Sequence, residues 1–213
     1  DYLANRGPRI VRLIPRWLGQ NLLAETPDAQ LMSPYGPLRL WGGHRLWHAP
    51  ESRARTYVPD DGNLRVVTSD NSVTLTRDEP ITGIRTEIAV ALFPGEPCAR
   101  LAHRLTNTGL WPVELAPWAI TQLRPGGTAV LPTTGDGDAE GLLPDRLIAL
   151  WPYSRWDDSR LRLGEVVGAH ASSPFIWWVG TAASAASSAA RAAATLLAPS
   201  GIDSICSWSL MIA

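Results

Sequence analysis

Residues 38–50 read LRLWGGHRLWHAP, which gathers two Trp, two His and two Arg around a Gly-Gly pair. An imidazole titrates near neutral pH and is the usual general acid or base. A guanidinium is a planar, permanently charged donor suited to carboxylates. If residues 38–48 are extended, Leu40, His44, Leu46 and His48 share one face, and Trp41, Arg45 and Trp47 share the other. Gly42-Gly43 introduces a bulge or admits a close neighbour, and a bulge would shift that parity. Two His four positions apart on a strand reach one pocket, so His44 and His48 are candidate catalytic groups. Arg45 and Trp47 are candidate substrate contacts. Glu51 follows closely and could pair with Arg45 or with either His. The competing reading is a core strand whose His bond locally and whose Trp fill space.

Three further segments carry possible chemistry. In 99–107 (ARLAHRLTN), His103 alternates with Leu101 and Leu105, which places a titratable ring on an apolar face where a neighbour must satisfy it. It is a structural His or, if it converges with His44, part of an acid–base pair. In 111–118 (WPVELAPW), Trp118 either lines a pocket or packs at a sheet corner. The acidic loops at 60–63, 136–138 and 157–158 carry carboxylates of the type that binds Ca²⁺. None has EF-hand length, and ordinary turn chemistry explains them. No cofactor is expected beyond that Ca²⁺ option, because P-loop, G-x-G-x-x-G, H-E-x-x-H and G-x-S-x-G patterns are all missing.

These residues need a scaffold, and the chain reads as β. Residues 84–92 (IRTEIAVAL) alternate strictly. Residues 64–69 and 72–77 flank Asp70-Asn71 as a hairpin. Residues 9–15, 99–107, 113–123 and 128–133 continue the series, with turn signals at 94–97, 107–109, 124–127 and 135–138. Many short strands with Gly and Pro between them point to an all-β antiparallel sandwich or barrel, with 213 residues forming one domain. Residues 181–195 (TAASAASSAARAAAT) are Ala/Ser-rich and read as a surface helix, a tail or the product of a frame change.

Composition narrows the partners. The net charge is −1 and all 19 basic residues are Arg, without a basic stripe, so nucleic acid is not expected. No apolar run approaches the roughly 20 residues of a bilayer span, so the chain is expected to be soluble, with no membrane partner. Cys98 and Cys206 have no metal-motif spacing and are expected to be reduced. Ten Trp, against four Tyr and two Phe, exceed what a modest core needs and suggest that some line a concave site.

NRGPRI at 5–10, QNLLAE at 20–25, GGHRLWHAPE at 42–51, TGIRTEI at 82–88, RLTNTG at 104–109 and APWAITQLRPGG at 116–127 occur in this order. Together they resemble the uncharacterised sugar-epimerase-like proteins of the galactose-mutarotase-type superfamily, over roughly residues 1–180. The resemblance implies an antiparallel supersandwich with a concave, carbohydrate-binding face. It also implies a His acid and a Glu base across the sugar ring. Here Trp118 lies near where that His would be, and after Glu165 the only acidic residue is Asp203. The resemblance therefore favours binding over mutarotation. Relatives look longer, so an open edge at the C-terminal end would invite a homodimer.

Three functions follow. The first is a carbohydrate-binding, epimerase-like protein with a cleft of His44, Arg45, Trp47, His48, Glu51, His103 and Trp118. The second is a hydrolase of a cyclic ester (lactone) or glycosidic bond in that cleft, with Ca²⁺ as an optional aid. The third is a non-catalytic oligomeric interaction module.

Overall fold

The structure is a computed structural model. It describes residues 1–95, 98–126 and 155–159, together with the strands at 128–132, 161–162, 166–170, 175–178, 195–197 and 210–212. Among the described residues there is no helix. The strands are β1 (Arg9–Ile10), β2 (Glu25–Ser33), β3 (Gly36–Gly42), β4 (His44–Ala49), β5 (Leu64–Ser69), β6 (Ser72–Glu79), β7 (Ile84–Leu92), β8 (Ala99–Asn107) and β9 (Ala116–Leu123). They continue as β10 (Thr128–Pro132), β11 (Leu161–Arg162), β12 (Val166–His170), β13 (Phe175–Trp178), β14 (Thr195–Leu197) and β15 (Leu210–Ile212).

Two sheets position the site. One has the order β1-β4-β9-β13 and the other β15-β8-β7-β6-β5. All their pairings are antiparallel except β15 on β8. A hairpin of β2 and β3 and a sheet β11-β12-β10-β14 complete the described strands. The expected hairpin at Asp70-Asn71 closes with Ser69 opposite Ser72. The alternation of β7 and β8 buries Ile84, Ile88, Ala99, Leu101 and His103. Leu46 and Ala119 from the first sheet pack with Ile88, Ala99 and Leu101 from the second. Ile10 and Leu123 pack likewise with Leu75. The two sheets therefore share their core.

Several sequence expectations shift. Residues 9–15 pair only at 9–10. Beyond them the Val11 and Arg12 amides donate to the Asp1 carbonyl, and the Leu13 amide donates to Asn21 Oδ1. Local partners thus take the bonds that a strand would need. The 38–48 strand breaks in two at Gly42-Gly43. The 113–123 strand begins at Ala116. Most of 181–195 lies outside the described residues. Beyond it, β14 joins β10 and β15 joins β8, so the C-terminal part supplies strands at two sheet edges.

Candidate functional site

The Gly-Gly pair is a crossing point. Gly42 and Gly43 have φ of 77° and 70°. A Cβ on Gly42 would overlap the Ala24 carbonyl, and one on Gly43 the Ile10 carbonyl. The backbone fits there only without side chains. The Gly43 amide donates to Ala24 O at 2.9 Å, and Gly43 O accepts from the Gln122 amide at 2.8 Å. This bend redirects the chain from β3 into β4 and sets the parity of everything after it.

From the bend onward the expected parity holds at His44, Arg45 and Leu46, but the two His do not reach one pocket: His48 lines the one described below and His44 does not. His44 and Leu46 face the second sheet, and Arg45 lies on the opposite face. His44 Nε2 lies 2.7 Å from His103 Nε2, and His44 Nδ1 lies 2.8 Å from Thr121 Oγ1. The rings tilt at 50°. The convergence of His44 and His103 thus occurs, but inside the core, and neither ring lines the pocket or the groove described below. Burial holds the His103 pKa down at about 4, and it pushes His44 well below the ordinary imidazole value, with His103 and Arg45 adding to the push. Both rings are neutral at pH 7, so one Nε2 donates and the other accepts.

The outer face carries the charge. β1 pairs with β4 at only two positions, Arg9 opposite Arg45 and Ile10 opposite His44. The next β1 position would be Pro8, which has no N–H to give. The remaining edge of β4 borders a pocket of about 50 Å³. Arg45 donates to Leu40 O at 2.9 Å and to Gln122 Oε1 at 2.5 Å. Arg9 donates to the same Leu40 carbonyl and pairs with Asp60. Burial pushes the Arg45 pKa well down, Arg9 adds to that, and Asp60 opposes it. An arginine stays protonated regardless, so this is the cost of holding its charge there.

His48 lines this pocket with Glu79, Asp60, Arg55 and Arg77. Burial and the Arg55 charge lower the His48 pKa, against an Arg55 backbone hydrogen bond and Glu79. Glu79 accepts from the Ile81 amide at 2.7 Å, the Thr82 amide at 2.6 Å and the Thr82 hydroxyl at 2.5 Å. Both carboxylate oxygens are thus engaged by its own turn.

The other expected contacts divide. Trp47 lines the pocket. Trp118, directly across from it on β9, is buried with its ring edge-on to Trp47 at 5.6 Å. Trp47 also meets Tyr57 edge-on at 5.1 Å. Glu51 accepts from the Tyr57 hydroxyl and lies away from the pocket, in an open groove of about 430 Å³ with Leu31, Met32, Ser52, Arg53 and Tyr57. Segment 51–58 forms a wall of both spaces. Thr56 ties it to β4 by donating to His48 O, while its Oγ1 accepts from the Ser52 amide.

Arg9, Arg77 and Glu79 are not singled out in the sequence, and Asp60 is only as part of an acidic loop. Arg9 sits inside the NRGPRI segment, and the others lie in turns or strand ends, so only long-range pairing brings them together. In the acidic loops, Asp60 pairs with Arg9, Asp61 with Arg6 and Asp157 with Arg155. Residues 136–138 lie outside the described residues. Among the described residues no group of three His, Cys, Asp or Glu could hold a metal ion. Compared with protein-family models, with curated proteins and with solved structures, the chain matches none.

Proposed function

We propose that this chain binds a sugar or sugar-like ring against segment 51–57, in a supersandwich of the galactose-mutarotase type. The observation that carries the reading is the groove of about 430 Å³. Its volume falls within the range of about 300–1,000 Å³ typical of small-molecule sites. Tyr57 offers a flat face for C–H patches, and Glu51, Ser52 and Arg53 offer hydroxyl partners. Two sheets with a common core support the fold assignment. Binding without turnover is favoured, because His44 and His103 are spent on each other and Glu79 on its own turn. Lactone hydrolysis at His48 and Glu79 is disfavoured, because the pocket they share holds only about 50 Å³ and the Glu79 oxygens are bonded to Ile81 and Thr82.

The test is a titration of the full chain with neutral aldoses and lactones, followed by Trp emission. Trp47 touches Tyr57, so a ring on Tyr57 perturbs its environment. A saturable response at millimolar ligand, weakened about tenfold in Tyr57→Ala, is expected, since ring contacts contribute on the order of 1 kcal/mol or more. No response to any neutral ring would sink the reading. Lactone turnover abolished in His48→Gln would move the assignment to the hydrolase.

A further inference from the structure

The pocket beside β4 has an unbalanced charge. Arg9 and Arg45 face each other across neighbouring strands and are 1% and 2% exposed. Like charges so placed repel. Arg55 and Arg77 line the same space. Against these four guanidinium groups stand Asp60, already bonded to Arg9, and Glu79, already bonded to Ile81 and Thr82. Arg45 has no carboxylate partner among its hydrogen bonds.

The hydrogen-bond count agrees with the charge. Arg9 Nε, Arg45 Nε, Arg45 Nη1 and Arg77 Nε are buried N–H donors without an acceptor, and His48 Nδ1 is also unpartnered. All five atoms belong to residues lining this one pocket. A buried donor left unsatisfied destabilises the fold, and more so when it is charged. A buried ion without a counter-charge is more costly still. Water can accept from these N–H groups, but it brings no charge. An anion does both.

We propose that this pocket is a binding site for a small oxyanion, a carboxylate or phosphate group, held by Arg9, Arg45 and Arg77. A space of about 50 Å³ suits such a group and not a whole ring. Guanidinium is the donor best matched to oxyanion geometry. The site goes beyond the sugar reading and does not depend on it.

The experiment titrates the full chain with sodium acetate and, separately, sodium phosphate. Sodium chloride at matched ionic strength is the control. Trp emission reports on Trp47 in the pocket wall, and the thermal midpoint reports on binding. A saturable response to either oxyanion, missing with chloride, is expected, and the tighter arm identifies carboxylate or phosphate. Arg77→Gln weakens it about tenfold or more, the worth of a charged hydrogen bond. Arg45→Gln weakens it further, with folding checked by circular dichroism. Arg100→Gln, outside the pocket, leaves it unchanged. A response that chloride reproduces, or one that survives Arg77→Gln at full affinity, overturns the proposal. An oxyanion response without a neutral-sugar response sinks only the sugar reading, and the converse sinks only this one.

Discussion

His44 and His103 place two titratable rings in contact across the core, and this makes the fold sensitive to acid. The unfolded His103 titrates near its ordinary 6.5 and the folded one at about 4, so the unfolded chain binds more protons between these values. Stability contributed by the neutral pair is complete above pH 6.5 and is lost as pH falls toward 4. The loss from His103 alone is on the order of 3 kcal/mol. Urea midpoints at pH 7, 5.5 and 4 should fall in that order, and His103→Leu should flatten the trend; equal midpoints across the range would refute it. At this scale the sequence was partly legible. The shared face of His44 and Leu46 followed from strand period alone. That His44 would meet His103 rather than a substrate did not, because the two are 59 positions apart and joined only by sheet packing.

The strands differ in how far their own residues determine them. Strict alternation in β7 matches its bounds, Ile84–Leu92, because one face, with Ile84 and Ile88 buried, turns to the core. By contrast β2, ETPDAQLMS, has no clean period. It exists because β3 pairs with it, across a register shift between Thr26 and Gln30. Tertiary pairing overrides propensity there. The bend between β3 and β4 is the element with the sharpest steric demand. Gly43→Ala would drive a methyl into the Ile10 carbonyl and adds strain at φ 70°. It should cost several kcal/mol or prevent folding, whereas Gly62→Ala, at φ 75° with open space around it, should cost about 1 kcal/mol. Thermal melts of the two variants provide the measurement, and similar midpoints would contradict the crossing.

At the scale of the molecule, the two sheets cohere through one shared core, with Ile88 at 0% exposure between Leu46, Leu101 and Ala119. Ile88→Ala should lower stability by about 2–5 kcal/mol, read as a lower urea midpoint. A loss below 1 kcal/mol would mean that the sheets do not depend on this contact. The sequence by itself determined the β class, most strand positions, the hairpin at Asp70-Asn71 and the special status of 42–48. Period and turn chemistry are local properties, written in neighbouring residues. Only the tertiary structure decided that Arg9, Arg45, Asp60, Arg77 and Glu79 meet in one pocket, that Trp118 is buried behind Trp47, and that His44 is paired with His103. Each of these depends on which strands pair and which faces pack, and that is fixed by contacts between residues far apart in the chain.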